Sequence, residues 1–126
     1  MARILVVDDE KSIGSFLIQV LEGQGHVVFV SPNGEHAFET LEYNSGFDLL
    51  LCDMNMPKVG GRQLVEMVQH HEKLADLPII IMSGYLNIGE IDNLLKSGCE
   101  AFLPKPINLK DLETSIHDAL KYRLIE

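Results

Sequence analysis

Apolar residues fall along the chain in five short runs, Ile4–Val7, Val27–Val30, Leu49–Cys52, Ile79–Met82 and Ala101–Leu103. Between them lie longer stretches in which apolar residues recur every three or four positions. Four of the runs are nearly continuous in Val, Ile or Leu, the pattern of strands buried on both faces of a parallel sheet. Val27–Val30 leads into the polar turn Ser31-Pro32-Asn33-Gly34 and reads as an edge strand. The intervening stretches predict helices. Ile13, Leu17, Val20 and Leu21 form the first face, stopped by Gly23 and Gly25. Ala37, Phe38 and Leu41 form the second, and Leu64, Val65 and Val68 the third. Ile88, Ile91 and Leu95 line the fourth, which ends at Gly98. The fifth opens at Asn108, a good N-cap, and buries Leu109, Leu112, Ile116 and Leu120. Strand and helix alternate five times without repeat, low-complexity tract or linker, which predicts right-handed crossovers and one doubly wound α/β sandwich over residues 1–126.

Such a sheet binds its ligands outside the carboxyl ends of its strands, where strand order reverses. Asp8-Asp9-Glu10 follow the first run. Asp53 follows the third, leading into Met54-Asn55-Met56-Pro57. Ser83-Gly84-Tyr85 follow the fourth, and Lys105 lies between Pro104 and Pro106 after the fifth. Any one of these is ordinary: an Asp pair is often a helix cap, Ser-Gly a turn, a lone lysine a surface residue. Their conjunction at the ends of different strands is improbable by chance. Carboxylates roughly 5 Å apart repel by about 3 kcal/mol at an effective dielectric near 20, so the cluster needs positive charge. Mg²⁺ suits it, being satisfied by one or two carboxylates with waters that a phosphate can displace. Three carboxylates, one Mg²⁺ and the Lys105 ammonium sum to about zero.

Composition narrows the picture. The net charge is −9, which argues against direct nucleic-acid binding, since phosphate neutralisation needs a basic face. No apolar stretch approaches the ~20 residues of a membrane span, and the N-terminus lacks a signal-peptide pattern, so a cytoplasmic protein is expected. The two cysteines, Cys52 and Cys99, sit in apolar segments and read as buried free thiols. The histidines show no metal-ligand spacing, and His70-His71 falls near a predicted helix end.

With Ile4-Leu5-Val6-Val7-Asp8-Asp9-Glu10, Asp53-Met54-Asn55-Met56-Pro57 with Gly61, Ser83-Gly84 and Phe102-Leu103-Pro104-Lys105-Pro106, the sequence resembles response-regulator receiver domains of two-component phosphorelays over essentially its whole length. The resemblance implies a flavodoxin-like (βα)₅ three-layer sandwich with strand order 2-1-3-4-5. It implies that Asp53 takes a phosphoryl group from a sensor histidine kinase or phosphotransfer protein, and that the response passes to an output partner or fused output domain. It further implies Mg²⁺, with Mn²⁺ as a substitute, held by Asp9 directly, by Asp8 through water, by Asp53 and by the backbone carbonyl of Asn55. Lys105 would pair with Asp53 and then with phosphoryl oxygens, and the Lys105–Pro106 bond would be cis. Ser83 would bond the phosphoryl group while Phe102 repacks. Asn55 and Tyr85 would flank the phosphoryl group and set its lifetime. Such a domain is not an enzyme beyond its own phosphorylation and dephosphorylation. Ile13 and Phe16, one turn past the acid pair, form a candidate patch for a kinase, with ordinary core packing as the alternative.

Three departures stand out: Gly60 where an Asp often caps the third helix, Phe102 for the commoner Tyr, and Ser83 for Thr. The rival enzyme, a haloacid-dehalogenase-type Mg²⁺ phosphatase, calls for Asp-x-Asp after the first strand and a cap insertion, neither present here. A flavin-binding module would need a hydroxyl- and glycine-rich loop where three acids stand. A receiver that has lost phosphorylation would lack a site residue, and none is missing.

Overall fold

The computed structural model describes residues 1–44, 46–56, 59–85 and 87–121. Strands and helices alternate as β1 (Arg3–Val7), α1 (Lys11–Gly23), β2 (Val27–Ser31), α2 (Gly34–Tyr43), β3 (Leu49–Asp53), α3 (Gly61–Gln69), β4 (Ile79–Ser83), α4 (Ile88–Lys96), β5 (Ala101–Pro104) and α5 (Leu109–Leu120). The strands form one parallel sheet in the order β2-β1-β3-β4-β5. This is the flavodoxin-like arrangement expected from the sequence, with β2 at an edge.

Alternation along the strands sorts the core into two layers. Leu5, Val7, Leu50, Cys52, Ile79 and Ile81 pack with Ala37, Leu41, Leu64, Val68 and Leu94, placing α2, α3 and α4 on one face. Ile4, Val6, Leu49, Leu51, Ile80 and Met82 pack with Leu17, Leu21, Leu112, Ile116 and Leu120, placing α1 and α5 on the other. Each fully buried Leu or Ile contributes roughly 1.5–3 kcal/mol relative to exposure, so the sheet's centre is the most heavily stabilised part of the molecule.

Two parts of the sequence reading are corrected. On α4 the buried residue is Leu94, with Ile88 86 % exposed and Leu95 39 % exposed. Leu94 alone packs into the core from this nine-residue helix, and of the expected stripe only Ile91 is even partly buried. Leu109, in the first turn of α5, is likewise largely exposed. Four strands, β2 to β5, also run one residue past their apolar runs, so Asp53 and Ser83 are the last residues of β3 and β4 rather than the first of the loops.

Asparagines start three helices: Asn33, Asn87 and Asn108 accept from His36, Glu90 and Asp111 N–H groups at 2.8, 2.8 and 3.1 Å. Gly60 precedes α3 with no side-chain cap. Gly61 is required by contact: a Cβ there would overlap the Asp53 carbonyl oxygen and sit 2.7 Å from the Met54 Cα. Its absence lets α3 start directly against the end of β3. Among the described residues, no helix is long and apolar enough to cross a membrane.

Candidate functional site

Parallel register brings the strand ends to one rim. Val7 pairs with Ser31 and Cys52, Asp53 with Met82, and Ser83 with Pro104. Just past β1, Asp8 is held by its own N–H donating to the Ser31 carbonyl at 3.1 Å. Its carboxylate is buried with both oxygens engaged: Oδ1 accepts from the Glu10 N–H at 2.9 Å and Oδ2 from Lys105 Nζ at 2.9 Å. Asp9, beside it, is exposed. Asp53 is 2 % exposed, and its Oδ1 accepts from the Asn55 N–H at 3.2 Å. Oxygens of Asp8, Asp9 and Asp53 all lie within 4.8 Å of one another.

Lys105 is aimed into this cluster from beyond β5. Its N–H donates to the Ser83 carbonyl at 3.0 Å, and the following peptide bond to Pro106 is cis, as expected. The ammonium lies 2.9 Å from Asp8, 3.3 Å from Glu10 and 3.4 Å from Asp53. Sequence reasoning assigns Glu10 no part in this. It occupies the N-cap position of α1 yet makes no cap bond, and its carboxylate turns to Lys105 instead. The count around the ammonium is then Asp8, Asp9, Asp53 and Glu10, four negative charges against one positive, or −3. A divalent cation would bring it to −1.

These neighbours perturb the titrating groups in opposite senses. Burial pushes the Asp53 carboxyl up; the Asn55 N–H opposes it, the Asp8 charge reinforces it, and Lys105 opposes it again. Burial alone would lower the Lys105 ammonium, but the hydrogen bond to Asp8, the charges of Asp53 and Asp8 and the bond to Glu10 outweigh it, and the net shift is upward. Cys52, immediately before Asp53, is a free, buried thiol pushed far above its ordinary range, by burial first and by the Asp53 charge next.

The other candidates take definite places. Ser83 is buried, and its hydroxyl accepts from Asn55 Nδ2 at 2.7 Å and from the Tyr85 N–H at 3.0 Å. Phe102 is half-buried against the α2–α4 layer. Tyr85 is 87 % exposed, and with Asp9, Asp53, Asn55 and Lys105 it borders a cleft of about 510 Å³. Ile13 lines that cleft too, while Ile13 and Phe16 are both half-buried against the α1–α5 core. Pro57 lies outside the described residues. A larger hollow of about 680 Å³, between the end of α1 and α5, is walled by Gln24, His26, Ile116 and Leu120 and lies away from the carboxylates.

The family model for the response regulator receiver domain matches residues 4–117. The chain belongs to that family. A chemotaxis protein CheY homolog of Campylobacter jejuni is 30% identical over 119 residues, covering 94% of this chain and 92% of the relative. The transcriptional regulatory protein ZraR of Klebsiella oxytoca is 32% identical over 119 residues, 94% of this chain but only 26% of the relative, so the chain spans about a quarter of that protein. The solved structure of chemotaxis protein CheY4 from Vibrio cholerae superposes with a TM-score of 0.87 at 26% identity, covering 95% of this chain and 99% of that one. Membership places the chain in two-component signalling and does not favour the phosphatase alternative. Receiver domains bind Mg²⁺ at an acidic pocket and are generally not true enzymes.

Proposed function

We propose that Asp53 is the phosphoacceptor of this receiver domain, taking a phosphoryl group from a phosphohistidine on a sensor kinase or phosphotransfer protein. The observation that carries the reading is a buried carboxylate on an open cleft, with oxygens of two further carboxylates within 4.8 Å and one ammonium at 3.4 Å. The donor set is all oxygen, which fits Mg²⁺, or Mn²⁺ in its place. Asp9, Asp53 and the Asn55 carbonyl would hold it, with Asp8 acting through water. When bound, the ion would supply positive charge to the phosphoryl oxygens.

The residues themselves account for the rest. A carboxylate oxygen of Asp53 attacks phosphorus, the P–N bond to the donor imidazole breaks, and its electron pair stays on that nitrogen. Phosphoryl transfer asks the protein for alignment and charge rather than covalent help. Asp53 is aligned by its place at the end of a buried strand. Lys105, pinned by Asp8, stands ready to meet a phosphoryl oxygen. Ser83 and Phe102 then change position, and the partner or output domain reads the change. Asn55 and Tyr85 govern how long the acyl phosphate lasts, and Ile13 with Phe16 receives the donor.

The test is intact-mass analysis with a small acyl phosphate donor. Wild type with Mg²⁺ should gain one phosphoryl group, EDTA should abolish the gain, and Asp53→Asn, which keeps the shape but loses the nucleophile, should gain none. Labelling of Asp53→Asn at the wild-type rate would refute the assignment.

A further inference from the structure

A serine hydroxyl has two acceptor positions and one proton. At Ser83 both acceptor positions are occupied, one by the Asn55 side-chain amide at 2.7 Å and one by the Tyr85 N–H at 3.0 Å. Only its proton is free to engage the acceptor oxygens of a phosphoryl group. Asn55 makes a second contact, through its backbone: its N–H donates to Asp53 Oδ1 at 3.2 Å. One residue therefore touches the reacting carboxylate of β3 with its main chain and the hydroxyl of β4 with its side chain. Forming the acyl phosphate at Asp53 replaces the carboxylate by a neutral carbonyl and moves the negative charge out to the phosphoryl oxygens, and a charge-assisted hydrogen bond is roughly twice as strong as a neutral one. The hold of Asp53 on Asn55 would loosen at the moment of phosphorylation.

We infer that Asn55 is a positioning residue linking the charge state of Asp53 to the position of Ser83, a latch that keeps the hydroxyl in its resting place until the Asp53 carboxylate becomes an acyl phosphate. The inference rests on the phosphoacceptor reading for its purpose, but its mechanics can be measured without phosphate. The Tyr85 amide is the probe, because its hydrogen-bond acceptor is the hydroxyl that Asn55 holds.

In unphosphorylated protein, Asn55→Ala and Asn55→Leu should each speed hydrogen exchange at the Tyr85 amide about fivefold, the factor lost with one ordinary hydrogen bond. Neither should speed it further in a Ser83→Ala background, whereas a general loosening of the loop would act in both. Asp53→Asn, which removes the charge and keeps the shape, should speed the same amide about threefold, and should do nothing more once Asn55 is alanine. A change below twofold in Asn55→Ala, an effect of alanine but not leucine, or equal acceleration with and without Ser83 would overturn the latch. An Asp53→Asn effect that persists without the Asn55 side chain would overturn the link. Failure of Asp53 to take a phosphoryl group counts against the phosphoacceptor reading alone.

Discussion

Two of the three inner strands, β3 and β4, and the two edge strands of this sheet are built differently. β3 and β4 are buried at every position, up to and including Asp53 and Ser83. β2 shows three exposed residues of five, and β5 has one fully buried residue of four. Asp53 and Ser83, the proposed phosphoacceptor and its hydroxyl partner, thus end strands that are buried along their whole length. Phe102 and Lys105, which are proposed to respond, lie on and just beyond a strand with less packing behind it. Accuracy is placed where the core is dense, and freedom where it is thin.

That contrast can be broken most directly by stability. Ile81→Ala, in the middle of β4, should cost about 2–5 kcal/mol in urea unfolding, whereas Val27→Ala on β2 should cost less than about 1 kcal/mol. Equal losses would show that the centre is no better anchored than the edge. A smaller effect tests the outer layer beside the site. Phe16→Ala should slow phosphoryl transfer from the cognate kinase about tenfold, the size expected for a contact worth ~1.4 kcal/mol at an interface, while moving the urea midpoint little. Lost stability with normal transfer would return Phe16 to the core. The smallest effect concerns the exposed residue past β4. An acyl phosphate hydrolyses when water reaches phosphorus in line, so if the Tyr85 ring covers that approach, Tyr85→Ala should shorten the half-life of phosphorylated protein about threefold, with Mg²⁺ saturating and donor removed. An unchanged half-life would mean that the ring, 87 % exposed at rest, stays in solvent.

Much of this was legible because strand burial and rim chemistry are written in residue type. Runs such as Ile79–Met82 have one reading in a chain of this length, and acids, a hydroxyl and a lysine at successive strand ends have few. What escaped depends on side-chain direction. Leu94 and Leu95 are equally apolar, and only the angle at which α4 meets the sheet decides that Leu94 is buried. Glu10 reads only as the residue after the acid pair, and its turn toward Lys105 depends on a residue 95 positions away. Asn55 was expected to act through its carbonyl and on the phosphoryl group. Its amide contact with Ser83, across 28 positions, exists because β3 and β4 end level with each other.

Cys52 gives the site a silent reporter. It adjoins Asp53 in sequence but points into the α2–α4 core, where burial first and the Asp53 charge next push its thiol up and disfavour the thiolate. Alkylating reagents consume thiolate, so they pass over Cys52 until the sheet opens. Its modification rate is therefore a clock for opening of the central strands, and because the Asp53 charge adds to the burial that holds the thiol protonated, it should be compared between Asp53 states rather than read alone.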